Sequence, residues 1–212
     1  MTSCECEEPH VRRRIVLTGG PGAGKTAVLA LVRQSFCRHV VVLPEAASIL
    51  FGGGLPRAAT ARGREAVQRA IFHVQRAVED LAEEEPPAVV LCDRGTPDGF
   101  AYWPEPREDF WAALGTTRAG ELARYDAVIH LRVPSLGHGY DHSNPVRTES
   151  AEEAAAIDGR IAAAWAGHPR LLVVESAPDF LEKAQASIAL LRAELPACCR
   201  GHVVPQRPAG ER

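Results

Sequence analysis

The sequence predicts an α/β fold: a five-stranded parallel sheet with helices on both faces. Three observations carry this expectation. Five short β-branched runs recur along the 212 residues, each continuous rather than alternating, as strands buried on both faces are. Helical patterns lie between them, so that strand and helix alternate. A glycine-rich turn, Gly19–Thr26, joins the first run to the first helical pattern, where an open parallel sheet places its ligands.

The strands are expected at Arg14–Thr18, Val40–Pro44, Ala88–Asp93, Ala127–Arg132 and Leu171–Ser176. A helix is expected over Thr26–Phe36. A longer one spans Thr60–Glu84, with Val67, Ile71, Val74, Val78 and Leu81 on one stripe. Ser150-Ala-Glu-Glu153 is a capping box that opens a helix through Ile157, Ile161 and Trp165. Ser176-Ala-Pro-Asp179 opens the last helix, with Leu181, Ala184, Ile188 and Leu191 inside. Two segments break the alternation. Asp98–Asp126 reads as an irregular helical insertion, and Val133–Ser150, rich in Gly and His, reads as a mobile lid. Residues 1–196 are expected to form one domain with a lid at about 133–166, followed by a flexible tail over 197–212.

Net charge is −3 and the pI is near 6.2, so no global field favours nucleic acid. Arg12-Arg13-Arg14 is too short for a basic tract and is expected to flank the first strand. The opening stretch has no apolar core of a secretory signal, and no run approaches membrane-spanning length. A cytoplasmic protein without integral membrane association is the expectation. Lysine occurs only at Lys25 and Lys183 in an arginine-rich chain, which gives weight to a lysine inside the glycine turn.

Gly19-Gly-Pro-Gly-Ala-Gly24-Lys25-Thr26 satisfies G-x-x-x-x-G-K-[ST], with a strand before it and a helix after. Its glycines let backbone N–H groups converge on a phosphate without Cβ clashes, and the helix start adds its positive dipole end. The loop residues Gly20, Pro21, Gly22, Ala23, Gly24, Lys25, Thr26 and Ala27 are therefore assigned to nucleotide binding. Lys25 reaches the β- and γ-phosphates, and the Thr26 hydroxyl serves Mg²⁺.

Asp93 ends the third strand after "VVLC", a Walker-B-like run, and is the second expected Mg²⁺ ligand. Arg94 follows at once and suits a phosphate or carboxylate. Glu45, just past the second strand, is open to two readings: a proton acceptor for an attacking hydroxyl, or an acid at the start of the helix "EAASILF". Asp98, with Glu45 and Arg94, is assigned to the substrate. Arg147, in the lid, suits an arginine that closes over a transferring phosphoryl group. His138 and His142 read as surface histidines, and Trp103, Trp111 and Trp165 as packing residues.

The six cysteines are no disulfide scaffold. Cys37 and Cys92 sit in apolar contexts and read as buried. Cys4, Cys6, Cys198 and Cys199 lie near the ends. They are either reduced surface thiols or, if the termini meet, a zinc clamp of unusual spacing.

Taken together, "RIVLTGGPGAGKT", "VVLPEAA", "LCDRGTPDGFAYW" and "YDHSNPVRTESAEEA" resemble a bacterial family of small AAA-like P-loop ATPases. That family is grouped with the nicotinamide-riboside-kinase domain of a bacterial NAD regulator and with a eukaryotic channel-translocation-defect protein. The resemblance covers about Arg13–Leu191. It implies a nucleoside/nucleotide-kinase-like P-loop core, with ATP and Mg²⁺ as cofactors, and nothing here reads as the second helical domain of ring-forming ATPases. Asp93-Arg94 resembles the Asp-Arg or Glu-Arg pair of such kinases, and Arg147 falls where their lid arginines lie. The expected activity is ATP- and Mg²⁺-dependent phosphoryl transfer to a small hydroxyl-bearing, nucleoside-like acceptor. The alternative is a slowly hydrolysing nucleotide switch that binds a protein or a phosphoinositide.

Overall fold

A computed structural model describes residues 6, 10–84, 87–134, 150–177 and 179–200. Its sheet has five parallel strands: β1 (Arg13–Thr18), β2 (Val40–Leu43), β3 (Val89–Asp93), β4 (Ala127–Leu131) and β5 (Leu171–Val174). Their order is β2-β3-β1-β4-β5, with β1 in the centre. The chain thus leaves β1 towards one edge and returns to fill the other, which puts a crevice at the carboxyl end of β1.

Alternation of side chains along each strand divides the core in two. Ile15, Leu17, Leu91 and Ile129 face one side. There they pack against α1 (Lys25–Ser35) and α7 (Phe180–Ala193) through Val28, Leu29, Val32, Ile188 and Leu191. Val16, Val90, Cys92 and Val128 face the other side, against Ile157, Ile161 and Trp165 of α6 (Ala151–Trp165). In the central strands β3, β1 and β4 the apolar residues are buried by one layer or the other, so those runs read as continuously apolar, while the edge strands β2 and β5 are largely half-buried with Val173 exposed.

The helix starts follow their caps. Ser150 and Glu153 form the expected capping box on α6. Thr60 caps α3 (Ala61–Leu81) by accepting from the Gly63 amide. Asp179 caps α7 by accepting from the Leu181 amide at 2.8 Å. Between them lie α2 (Ala46–Gly52), a 3₁₀ segment (Thr96–Tyr102), α4 (Asp109–Ala113) and α5 (Arg118–Leu122). The last three form the expected irregular insertion. It is closed by aromatic packing of Trp103 and Phe100 on Phe110, and by Trp111 stacked on Phe100.

Two expectations are corrected. On α3 the predicted apolar stripe does not run into the core as a whole. Leu81 is 69% exposed, whereas Gln75 and Glu79 are buried. The reason is a polar network. Glu79 accepts from Gln75 Nε2 at 2.8 Å, Tyr125 Oη at 2.8 Å, Arg124 at 2.6 Å and Arg14 at 3.3 Å. At the other end of the chain, Ala197–Arg200 form a short helix, α8, with Cys199 fully buried, where the tail was expected to begin. Of the three arginines, Arg12 flanks β1, and Arg13 and Arg14 are its first two residues. Arg13 pairs with Glu194 at 2.6 Å, Arg14 with Glu79 and Glu83, and Arg12 donates to the Glu83 carbonyl at 2.9 Å.

Removing the shared acceptor of that network leaves two guanidinium groups without their buried partner. Glu79→Ala is expected to destabilise the fold by about 3–5 kcal/mol. For a chain of this size that lowers Tm on the order of 10 °C. A thermal melt reads it directly, and a Tm within a degree or two of wild type would remove Glu79 from the stabilising network.

Candidate functional site

The glycine turn Gly19–Gly24 and the first turn of α1 sit at the carboxyl end of β1. Gly24 takes φ +93° and Gly19 φ +139°, conformations that favour glycine. At Gly19 a Cβ would also meet the Leu131 carbonyl oxygen at 2.1 Å. Gly24 occupies the N-cap position of α1 without a side-chain cap, and no acid lies in the first turn. The first hydrogen bond along α1 runs from Val28 N–H to the Gly24 carbonyl at 3.1 Å. The amides of the preceding residues are therefore the orphan donors that a helix start offers to an anion.

Lys25 projects from that turn and donates from Nζ to the Gly19 carbonyl at 2.8 Å and the Gly20 carbonyl at 3.2 Å. Burial, then the nearby Arg94, push its pKa down to about 7, against the pull of Asp93, Glu45 and Asp98. An ammonium so poorly stabilised gains most from a phosphate placed beside it.

Parallel register sets Leu17 of β1 against Asp93 of β3, so the acid ends its strand beside the loop. Burial, and then the charge of Glu45, push its pKa up to about 6. Asp93 Oδ1 is buried without a hydrogen-bond partner among the described residues. A hard cation is the group that such an oxygen lacks. Asp93 and, on the exposed first turn of α1, the Thr26 hydroxyl are oxygen donors of the kind that Mg²⁺ takes.

Arg94 is a non-glycine residue in the left-handed region, with φ +69°. Strain of that kind persists where the surroundings hold it. Here Gln75 Nε2 donates to the Arg94 carbonyl at 3.2 Å, and the Arg94 amide donates to the Leu17 carbonyl at 3.1 Å. Its guanidinium donates to Glu45 Oε1 at 2.7 Å and the Gly19 carbonyl at 3.2 Å, and lies 3.5 Å from Asp98 Oδ2. Burial works against its charge, but Tyr102, Glu45 and Asp98 hold it protonated.

Glu45 stands at the N-cap position of α2 but caps no amide with its side chain. It accepts from Arg94 and, at 2.5 Å, from Ser48 Oγ. Although burial opposes it, Arg94 and Ser48 hold its carboxyl below the usual range. Asp98 is buried and accepts from Thr18 Oγ1 at 2.7 Å and Trp165 Nε1 at 2.6 Å. It thereby ties β1 and α6 to Arg94. The structure brings Lys25, Glu45, Asp93, Arg94 and Asp98 into one crevice. Arg147, His138 and His142, with residues 135–149 of the expected lid, lie outside the described residues.

Beside the loop lies a cavity of about 340 Å³. Phe51, Ile71, Phe72 and Tyr102 supply apolar walls, while Gln68, Gln75, Arg57 and Arg94 offer polar groups. Pro21, Glu45 and Asp98 are shared between this cavity and the loop crevice. A small set of convergent polar groups on an apolar wall is how ligand pockets fix orientation.

Sequence reasoning missed Asp158. From α6 it accepts the Gly20 amide at 2.8 Å and His130 Nε2 at 2.8 Å, and it pairs with Arg132 at 2.9 Å. Against the cost of burial, His130 and the Gly20 amide hold its carboxyl below the usual range. It orients the loop from the far layer. Its one sequence signal is an acid on the apolar stripe of α6, one residue after Ile157.

A family model described as an AAA domain matches residues 14–183. A structure of a NadR protein in complex with NR superposes with a TM-score of 0.65 at 13% identity, over 94% of this chain and 54% of that one. A second, of NadR in complex with NAD and AMP-PNP, gives 0.59 at 12% identity, over 93% and 52%. The chain thus spans about half the length of those two. No curated protein matches it. The α/β fold, with its glycine turn after the central strand, is the one those NadR structures share, that of a P-loop NTPase.

Two outcomes are expected. Asp93 is raised, so its carboxylate weakens the fold above about pH 6, and the penalty vanishes towards the unfolded value of 3.8. Asp93→Asn should therefore raise the ligand-free Tm at pH 7.5 by roughly 2–4 °C, the gain closing below about pH 4, while weakening Mg²⁺ dependence. An unchanged Mg²⁺ titration would take Asp93 out of the metal site. Lys25 carries its charge below about pH 7. Nucleotide affinity should accordingly fall above that pH, approaching about tenfold per pH unit. A flat calorimetric profile from pH 6 to 9 would contradict the assignment.

Proposed function

We propose that this chain, which belongs to the AAA domain family, is an ATP- and Mg²⁺-dependent phosphotransferase acting on a small hydroxyl-bearing, nucleoside-like acceptor. The carrying observation is the cavity of about 340 Å³ that adjoins the phosphate loop at Pro21 and shares Glu45 and Asp98 with its crevice. A protein that merely held a nucleotide needs no second pocket at that place. The NadR structures contribute by analogy, one with NR and one with NAD and AMP-PNP.

In this reading the amides of Gly22 and of Gly24, Lys25, Thr26 and Ala27, with the Lys25 ammonium, hold the triphosphate, the Ala23 amide being bonded to the Gly20 carbonyl, and Thr26 and Asp93 would hold Mg²⁺. The metal, when bound, neutralises charge on the phosphates. Arg94 stays charged and strained in place, with its guanidinium between the loop and the acceptor cavity. Glu45 is ionised, oriented by Arg94 and Ser48, and stands at the cavity mouth to accept from the acceptor hydroxyl. Its low pKa makes it a weak proton acceptor, so its part is orientation. Phe51, Phe72 and Tyr102 offer ring faces to a planar or sugar-bearing acceptor. Arg147, from the lid, is assigned to the transferring phosphoryl group.

ADP formation from Mg-ATP, measured across a panel of nucleosides beside buffer alone, is expected to depend on the acceptor. Lys25→Ala should largely abolish both nucleotide binding and turnover. Arg147→Ala should retain affinity within about threefold yet lower kcat by at least about 100-fold, as a group that meets charge in the transition state does. Equal hydrolysis with and without every acceptor would favour the switch and contradict the transferase.

A further inference from the structure

The opposite end of the sheet carries a second constellation. Cys37 and His39 lie between α1 and β2, and Cys198 and Cys199 lie in α8. Cys6 and His10 come from the segment before β1. Cys37, His39 and Cys199 are 5%, 7% and 0% exposed, and their donor atoms all lie within 4.8 Å of one another. Cys37 Sγ is 3.3 Å from Cys199 Sγ and 3.6 Å from His39 Nδ1, and His39 Nδ1 is 3.1 Å from Cys199 Sγ. Cys198 Sγ follows at 3.5 Å from Cys199 Sγ. The expectation of surface thiols is thereby corrected for three of the four: Cys199 is buried, Cys6 and Cys198 are half-buried, and Cys4 lies outside the described residues.

We infer that Cys37, His39, Cys199 and Cys198 form a structural site for one thiophilic metal ion of the zinc class. Bond lengths of about 2.3 Å to sulfur and about 2.0 Å to nitrogen, at tetrahedral angles, separate donors by roughly 3.5–3.8 Å. Of the six edges that four ligands define, the four separations given above lie within about half an ångström of those lengths. Three thiols and one imidazole make a closed donor set, which suits a structural rather than a catalytic ion. Cysteines that merely fill space have no need to converge. Here four of the five described cysteines fall with two histidines into two adjoining groups, Cys37–His39–Cys199 and Cys6–His10–Cys198, which meet where Cys198 Sγ lies 3.5 Å from Cys199 Sγ, and Cys92 alone stands apart.

The neighbours support the same ion. His10 Nε2 lies 3.3 Å from Cys198 Sγ, within reach to donate to a thiolate, and Cys6 Sγ lies 3.6 Å from His10 Nε2. The His10 and His39 rings meet edge to face at 4.9 Å between centroids. A partner that holds a ligand in place is a regular part of such sites. Cys198 and Cys199 also lie beyond residues 14–183, the span the AAA domain model matches. The ion would therefore fasten α8 to the α1–β2 connection, closing a loop of the kind whose cross-linking restricts the unfolded chain most. Spacing rules missed it because the four ligands come from two places far apart in sequence.

The test uses the full chain, purified under reducing conditions from cells supplied with zinc. Elemental analysis is expected to find about one zinc per chain. Replacement by Co²⁺ should give the intense visible bands and the sulfur-to-metal charge transfer of a tetrahedral thiolate site. Cys37→Ser and Cys199→Ser should each lose most of the metal, and Cys92→Ser and Lys25→Ala should keep it. Should Cys199→Ser fail to fold, chelator treatment of wild type is read instead: Tm should fall and recover on adding Zn²⁺. Reduced wild type that carries no zinc and takes up no Co²⁺ overturns the proposal. So does a Cys37–Cys199 disulfide in protein that never held metal, or metal that persists in both ligand variants.

Discussion

The parallel pairing of β1 with β3, in register at Leu17 and Asp93, is the constraint on which the phosphate site depends. A one-residue slip would turn Asp93 to the opposite face of the sheet. It would also uncouple the loop after β1 from Arg94, whose amide bonds the Leu17 carbonyl and whose guanidinium bonds the Gly19 carbonyl. The apolar layers on both faces fix the register. Ile15, Leu17 and Leu91 must face α1, while Val16, Val90 and Cys92 must face α6. The core thus decides where the charges sit.

Those charges are held in tension. Arg94 is satisfied by Glu45 and Asp98, and its presence, after burial, depresses the neighbouring Lys25. Glu45, ionised by Arg94, in turn raises Asp93 once burial has done its larger part. One cation and one anion are left poorly stabilised, and they are the two groups a magnesium-bound phosphate would satisfy. Such a site costs stability without its ligand, a known trade between function and fold. The bulk of the stability lies elsewhere, in the two layers and the Glu79 network.

The sheet was legible because its central strands are buried on both faces and all five read as unbroken apolar runs. The phosphate loop was legible because glycine, lysine and threonine stand at fixed spacing between a strand and a helix. The capping box at Ser150 was equally direct. What escaped the sequence were contacts made across layers. Asp158 reads as one more acid on α6, yet it holds the Gly20 amide 138 residues away. Gln75 and Glu79 break the stripe on α3 because their partners, Arg14, Arg94, Arg124 and Tyr125, come from other elements. The placement of Cys37 beside Cys199, 162 residues apart, follows from the packing of α8 and from no local pattern.

The central claim is that the orphan amides at the start of α1, with Lys25, receive the phosphates of a nucleotide. Amide NMR of the labelled chain, titrated with Mg-ATP, tests it most directly. The amides of Gly22, Gly24, Lys25, Thr26 and Ala27 should show the largest shifts, since a charge-assisted hydrogen bond to each changes its environment most. The Gln68 and Gln75 side-chain amides of the neighbouring cavity should respond mainly when an acceptor is added. Shifts centred on another surface, with the loop amides unmoved at saturating nucleotide, would contradict the account.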